Sequence, residues 1–265
     1  MKKVAKSESV NSPLYWQTSG EGDDIVLLHG WGMNGAVWHQ TVEALSQHYC
    51  VHVVDLPGFG HSHQAHFDSI EHMAELVLAS APSKATWLGW SLGGLLATHI
   101  AVHHPERVEK LITVASSPKF AAEKPWRGIQ PNVLSAFTDQ LVEDFQRTIE
   151  QFMALQAMGS PSARQDVKSL KKAVLSRPSP NPKSLLAGLN LLADIDYRDM
   201  LGALQLPTLR LYGRLDGLVP AKVAKDVDQL MPHSESFVFS ASSHAPFMTE
   251  FDEFCQQITR FIRDR

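Results

Sequence analysis

Three polar residues stand where a serine-based acyl-transfer reaction would need them: Ser91, Asp216 and His244. Each follows an apolar run of strand length, and the carboxyl ends of parallel strands meet at one edge of a sheet. A serine hydroxyl is a weak nucleophile at neutral pH, so it needs a base within hydrogen-bond reach and a third group that orients the base. We therefore predict that Ser91 is the nucleophile, His244 the base and Asp216 the orienting acid.

The nucleophile prediction starts from a GxSxG pentapeptide at residues 89–93, between a strand-like and a helix-like run. The bare pattern is expected by chance in roughly one chain in fifteen of this length. Its glycines suit a sharp strand-to-helix turn in which the backbone leaves no room for larger side chains. The alternative is an idle serine in a glycine-rich turn. The chain order Ser, Asp, His argues against that alternative, because it is the order used on the α/β-hydrolase scaffold.

The two partners of the serine also have plainer interpretations. Asp216 precedes a glycine, and an Asp-Gly pair often does no more than initiate a turn. His244 is one of 13 histidines, and most histidines are surface or packing residues. Three rival acids lie near the end of a helical segment rather than after a strand, which makes them weaker candidates: Asp194, Asp196 and Asp199.

A second glycine-rich loop, His29-Gly30-Trp31-Gly32, follows the continuous apolar run at residues 25–28. Its backbone can approach a substrate closely, so we predict that the N–H groups of Trp31 and Leu92 bind the oxyanion of the intermediate. The histidine of this loop is expected to orient the loop rather than to act as the base. The side chains of Trp31 and Trp90 either line an apolar acyl pocket or pack in the core, and the sequence favours neither.

Strand-like and helix-like stretches alternate along most of the chain, which predicts a mostly parallel sheet with helices on both faces. The predicted strands are residues 14–18, 25–28, 50–54, 85–88, 111–115, 208–213 and 236–239. The predicted helices between them are residues 37–49, 70–81, 95 to about 104, a stretch that ends near 231, and 252–263.

Residues 116–204 have a different pattern, since no strand-like run occurs and apolar residues recur three or four positions apart. One series, 134–152, predicts one or two helices, and another, 163–174, predicts a further helix that Ser160-Pro161 would cap. Prolines at 178, 180 and 182 predict a break. The resulting division is a core of residues 1–115 and 205–265 and an inserted helical cap of residues 116–204.

The composition is that of an ordinary globular protein: 44% hydrophobic residues, 20% charged residues and a formal net charge of −4. This balance argues against general nucleic-acid binding. Cys50 and Cys255 lie far apart in apolar surroundings, and we expect buried free thiols. The sequence has no HExxH, no metal-type carboxylate cluster and no dinucleotide fingerprint, so we expect neither a metal nor a redox cofactor. The first ten residues lack a signal-peptide apolar stretch, and we expect a cytoplasmic monomer without membrane spans.

The motifs together resemble the α/β-hydrolase superfamily, and more closely the BioH-type pimeloyl-[acyl-carrier protein] methyl ester esterases of biotin synthesis. Trp90 before the serine and the stretch Phe152–Gly159 look especially like that family. The segments that carry the resemblance are 27–32, 54–60, 87–94, 211–220 and 244–247. The resemblance implies hydrolysis of a methyl ester on a carrier-linked pimeloyl group, through an acyl-serine intermediate and without a cofactor. The substrate contacts it implies are Trp31, Ser91, Leu92, Phe152, Met153, Ala154, Leu155, Gln156 and His244.

A carrier-protein partner has partial support from charge. Cations beside the apolar stripe of one predicted cap helix, with one more on the preceding helix, could steer an acidic carrier protein. These residues are Arg147, Arg164, Lys168, Lys171 and Lys172. A solvated lysine-rich face is the alternative, and Gln151 stands where a relative is expected to offer another cation. Two other functions remain open: a broad short-chain carboxylesterase, and a non-catalytic ligand receptor on the same fold.

Overall fold

The computed structural model describes residues 12–264 of the chain. The ten amino-terminal residues for which no signal peptide is predicted lie outside the described residues. Within the described part, none of the helices combines the length and the apolar character needed to cross a bilayer.

A seven-stranded sheet forms the centre of the protein, in the order β1-β3-β2-β4-β5-β6-β7. The strands are Trp16–Ser19 (β1), Asp24–Leu28 (β2), Cys50–Val54 (β3), Ala85–Trp90 (β4), Val108–Val114 (β5), Thr208–Gly213 (β6) and Glu235–Phe239 (β7). Only β1 runs antiparallel to its neighbour. The central strands β4 and β6 are buried at every position, as expected of a sheet covered on both faces. The predicted fold class, an α/β-hydrolase-type sheet, is confirmed.

Ten α-helices accompany the sheet within residues 12–264. They are His39–Leu45 (α1), Ile70–Leu78 (α2), Leu92–His103 (α3), Pro131–Glu143 (α4), Phe145–Ala157 (α5), Ala163–Leu175 (α6), Pro182–Asp194 (α7), Val223–Leu230 (α8), Pro246–Thr249 (α9) and Phe251–Asp264 (α10). The chain places β3 on one side of β2 and then returns to place β4 on the other. The crevice at the carboxyl ends of β2 and β4 is therefore the switch point at which such sheets bind ligands.

Several element boundaries differ from the prediction, each for a local reason. The single helix predicted over 37–49 is wrong: a 3-10 helix, Gly35–Trp38, precedes α1, which ends at Leu45. The chain then turns, and Tyr49 packs in the core from outside the helix. Helix α3 begins at Leu92 instead of residue 95, although it thereby includes two glycines of low helix propensity. Strand β4 continues to Trp90, directly before Ser91.

Helices α4 to α7 lie between β5 and β6, in the segment 116–204 that we call the cap. The prediction that Ser160 caps α6 is wrong, because the helix starts at Ala163 and the Ser160 hydroxyl donates to the carboxylate of Asp166 instead. Pro182 does not continue the break but opens α7, where a proline at the first position leaves no hydrogen bond unmade. The status of the cap as a separate unit stays a prediction.

The two cysteines differ from expectation in their exposure. Both are free thiols, but both are half-buried rather than buried. Cys50 is the first residue of β3, and Cys255 lies on the amphipathic helix α10. Partial burial raises the pKa of the Cys255 thiol to about 11, so this thiol is protonated at neutral pH.

Candidate active site

Ser91 lies at the sharp turn between β4 and α3. Its φ of 55° and ψ of −118° lie outside the regions that non-glycine residues ordinarily adopt, as expected of a nucleophile elbow. A Cβ atom on Gly89 would overlap the carbonyl oxygen of Gly93, and one on Gly93 would overlap the carbonyl oxygen of Leu28. The two glycines of the GxSxG pattern therefore have a steric cause.

Asp216 and His244 meet from the loops that follow β6 and β7. Nδ1 of His244 donates to Oδ2 of Asp216 at 2.7 Å, and both side chains are buried. The other carboxylate oxygen accepts the backbone N–H groups of Leu218 and Val219, at 2.8 and 3.0 Å. Asp216 thus shapes its turn and also orients the histidine, so its two interpretations are compatible. A proton held on Nδ1 leaves Nε2 of His244 as an acceptor.

In this structure the candidate base, His244, forms no hydrogen bond to the candidate nucleophile, Ser91. Nε2 of His244 is buried and has no hydrogen-bond partner among residues 12–264. The indole N–H of Trp90, the residue before Ser91, nevertheless donates to the His244 carbonyl at 2.7 Å and holds the loop beside the elbow. Catalytic hydrogen bonds often shorten only when substrate is bound. A buried, unpaired Nε2 next to the elbow is what a general base requires.

The glycine loop after β2 passes directly over the elbow. A Cβ atom on Gly30 would lie 3.3 Å from the Cβ of Ser91, so the backbone of this loop borders the nucleophile. Leu92 opens α3, and the first N–H groups of a helix have no partner within it. The N–H groups of Trp31 and Leu92 therefore lie on the two elements that flank Ser91. Their role as oxyanion donors stays a prediction.

His29 connects two loops and is not available as a base. Its Nε2 accepts the backbone N–H of Leu56 at 2.9 Å, which places the proton on Nδ1, and Nδ1 donates to the Gly30 carbonyl at 2.9 Å. Complete burial lowers the pKa of His29 to about 4, so the ring is neutral at physiological pH. Both hydrogen bonds support the expectation that this histidine orients the glycine loop, which stays a prediction.

Cap helix α5 reaches both the glycine loop and the candidate base. The ring of Phe152 packs edge-on against Trp31, with 4.7 Å between centroids, and the backbone carbonyl of Gln156 accepts the N–H of His244 at 3.1 Å. Met153 is buried on the same helix, whereas Leu155 is half-buried and Ala154 is exposed. The predicted substrate contacts are thus on both sides of α5, and Ala154 lies on its outer side.

Both tryptophans beside the site serve as packing residues. The side chains of Trp31 and Trp90 are fully buried. The indole N–H of Trp31 donates to the carbonyl of Leu185 on α7 at 2.8 Å, and the Trp90 ring packs edge-on against Phe247 at 4.9 Å. Their polar atoms bond to backbone, so the core interpretation is the one that these contacts support.

The candidate triad is closed off from solvent. The exposed fraction is 2% for Ser91, 6% for Asp216 and 0% for His244. A groove of about 550 Å³ runs between α6 and the 3-10 helix Gly35–Trp38, but none of the three residues lines it. This groove is therefore not the pocket in which a substrate meets the serine.

The five cations predicted to meet a carrier protein are all exposed on the cap. Lys171 differs from the other four, because its Nζ pairs with Oε1 of Glu150 on α5 at 2.6 Å. That carboxylate offsets its charge locally. Contact of these five residues with a carrier protein stays a prediction, and Lys171 is the one whose charge is least free to attract the carrier.

One group within residues 12–264 could hold a metal ion: Asp24, Cys50 and His52, whose ligand atoms lie within 4.8 Å of one another. No sequence motif signals it, since parallel pairing of β2 with β3 brings Asp24 beside Cys50. The group lies near the amino ends of β2 and β3, whereas the candidate triad lies at the carboxyl ends. Nε2 of His52 is hydrogen-bonded to Oδ1 of Asp24 at 2.7 Å.

Comparison with known proteins places this fold and site in a family. The family model for the alpha/beta hydrolase fold matches residues 24–251. A bromoperoxidase from Bacillus anthracis superposes with a TM-score of 0.85 at 22% identity, over 94% of this chain and 95% of that one, which shows a shared fold alone. The protein is an α/β hydrolase.

Curated relatives narrow the family further. A pimeloyl-[acyl-carrier protein] methyl ester esterase from Vibrio parahaemolyticus is 70% identical over 96% of this chain and 100% of its own. The esterase of the same name from Vibrio cholerae is 69% identical over 94% of this chain and 97% of its own. At this identity the chain belongs to the family of these carboxylic ester hydrolases, as the motif resemblance predicts.

Proposed function

We propose that this protein hydrolyses the methyl ester of pimeloyl-[acyl-carrier protein] and releases methanol. Relatives that are 60% to 70% identical over nearly their full length carry that name. The structural observation that supports the proposal is the buried Asp216–His244 pair beside the strained Ser91. Hydrolysis of an ester through an acyl-serine intermediate needs this combination of an oriented base and a serine held on a sharp turn.

The proposed chemistry proceeds in two halves. Nε2 of His244 takes the proton of the Ser91 hydroxyl as Oγ attacks the ester carbonyl, and Asp216 stabilises the imidazolium that forms. The N–H groups of Trp31 and Leu92 bind the oxyanion. His244 then protonates the departing methoxy group, and methanol leaves. A water molecule, deprotonated by His244, attacks the acyl-serine and frees the carboxylate.

Selectivity in this proposal belongs to the cap. The carrier-linked substrate has an ester at one end and a thioester at the other, so the ester must reach Ser91 while the thioester stays outside. Phe152 and Gln156 of α5 contact Trp31 and His244 respectively, which puts the cap helix directly against the reacting groups. Arg164 and Lys168 are exposed on α6, where they suit an acidic carrier protein.

The proposed setting is the cytoplasm, and the proposed unit is a monomer. Two half-buried thiols that form no disulfide suit a reducing compartment. All of the proposed catalytic groups come from a single copy of the chain.

The test is incubation of the purified protein with pimeloyl-[acyl-carrier protein] methyl ester, followed by intact-mass measurement of the carrier. We expect the carrier to lose one methylene unit in mass and to keep its acyl group, while Ser91→Ala leaves the substrate intact. An unchanged carrier with wild-type protein would contradict the proposal. Loss of the whole acyl group would show thioester cleavage and contradict the selectivity.

A further inference from the structure

Beneath the glycine loop, a buried carboxylate collects donors from three separate segments. Oδ1 of Asp55 accepts the backbone N–H of Gly35 at 2.7 Å and the guanidinium of Arg177 at 2.5 Å. Oδ2 accepts the backbone N–H of His61 at 2.7 Å. Asp55 is fully buried, and the side chain of Arg177 is 10% exposed. Charge-assisted hydrogen bonds in such surroundings are strong and directional.

Two of the three partners of this carboxylate, Gly35 and Arg177, belong to different parts of the protein. Gly35 begins the 3-10 helix into which the loop from His29 leads, whereas Arg177 lies two residues beyond Leu175, the last residue of cap helix α6. The loop comes very close to the ion pair, because a Cβ atom on Gly35 would lie 3.1 Å from both the Asp55 carboxylate and the Arg177 guanidinium. The guanidinium also lies 5.1 Å from the ring centroid of Tyr15, which fixes its position from the other side.

A second contact fastens the same loop to the same end of α6. The side-chain amide of Asn34 donates to the carbonyls of Ala173 and Val174, at 3.3 Å each. Both carbonyls also accept backbone N–H groups from just beyond the helix, those of Ser176 and Arg177, so Asn34 adds a further donor to the last turn of α6. Since Trp31 is also tied to α7 through its indole N–H, the loop is attached to the cap at several points along its length.

We propose that Asp55 and Arg177 are positioning residues that hold residues 29–35, the oxyanion loop, at its working distance from Ser91 by fastening it to the end of α6. This inference rests on the proposed function, because it gives the loop the oxyanion role. Small displacements of such donors lower the rate of the chemical step. Loss of the guanidinium therefore slows turnover of a bound substrate more than it weakens substrate binding.

The test compares Arg177→Met and Arg177→Lys with the wild type on a p-nitrophenyl ester, well below the melting temperature of each. We expect kcat to fall about tenfold in Arg177→Met with KM within about twofold, and to fall less in Arg177→Lys, which keeps the charge but loses the planar fork. Arg177→Lys also covers the outcome in which Arg177→Met does not fold. If Arg177→Met folds and its kcat is unchanged, the inference is overturned. If Arg177→Met does not fold, an unchanged kcat in Arg177→Lys overturns it.

A matched control is Thr249→Val. The Thr249 hydroxyl donates to Asp166 of α6 at 3.2 Å and so ties the other end of this cap helix to the core, without contacting the oxyanion loop. We expect Thr249→Val to lower the melting temperature but to keep the wild-type kcat. A fall in kcat equal to that of Arg177→Met would show a general loosening of the cap and overturn the inference. A wild-type protein inactive on all esters would instead refute the proposed function.

Discussion

The sheet and the cap hold the candidate site by different means. At the sheet, position is fixed by backbone: glycines at 89 and 93 are forced by carbonyl oxygens, and Asp216 is held by two N–H groups of its own turn. At the cap, position is fixed by contacts between distant segments, such as Asn34 with the end of α6 and His244 with the Gln156 carbonyl. This difference fits the proposed roles, in which residues on the sheet carry out the chemistry and the cap selects the substrate.

The largest expected effect comes from removing the nucleophile. Ser91→Ala should lower kcat on a p-nitrophenyl ester by about 10³-fold or more, because the remaining groups cannot form an acyl-enzyme. The protein should keep its melting temperature, since the replacement removes only a hydroxyl. A serine-directed phosphonate should label the wild type at Ser91 and fail to label the variant. Retained activity in Ser91→Ala would refute the nucleophile assignment.

Replacing the orienting acid should have the next largest effect. Asp216→Asn keeps the size of the side chain but puts an amide against Nδ1 of His244, which favours the wrong tautomer. We expect kcat to fall by about 10² to 10⁴-fold with KM little changed. Rates of ester hydrolysis at saturating substrate measure this directly. A loss below about threefold would mean that a different acid orients the histidine.

Charge substitutions on the cap should change activity on the carrier-linked substrate but not on a small ester. Lys168→Glu reverses one exposed charge on α6 and is expected to lower kcat/KM for the carrier-linked substrate several-fold, while activity on a small ester stays the same. The effect should shrink at high salt, because exposed charges are screened. Lys171→Glu is the matched comparison, and it should cost less since Lys171 is already paired with Glu150. Equal losses on both substrates would place the effect outside carrier docking.

The smallest expected effect concerns acid stability. Burial lowers the pKa of His29 to about 4, below its unfolded value near 6.5, so the unfolded state binds the additional proton. The stabilising contribution is complete above pH 6.5 and is lost as the pH falls from 6.5 towards 4. We expect His29→Gln to show a shallower decline in melting temperature over this window than the wild type. His99, whose pKa burial also lowers to about 4, should account for much of the remaining slope.

The sequence predicts the strands and the elbow of the sheet better than it predicts the contacts made by the cap. The strands and the elbow carry local signals, because a continuous apolar run, a glycine pair and a following helix lie within a few residues of one another. The contacts of Asp55 with Gly35 and Arg177 carry no such signal, since the three are brought together only by the packing of the cap on the sheet. The end of α1 at Leu45 carries no local signal either, because the apolar spacing continues to Tyr49, which packs in the core from outside the helix.

One measurement tests most directly whether the cap selects the substrate while the sheet carries the catalytic groups. It is kcat/KM of the wild type on carrier-linked and carrier-free pimeloyl methyl ester under the same conditions. The expected result is a clear preference for the carrier-linked ester, reduced by Lys168→Glu, with Ser91→Ala abolishing both activities. Equal values for the two esters in the wild type would contradict it, because the cap would then contribute nothing to the choice of substrate.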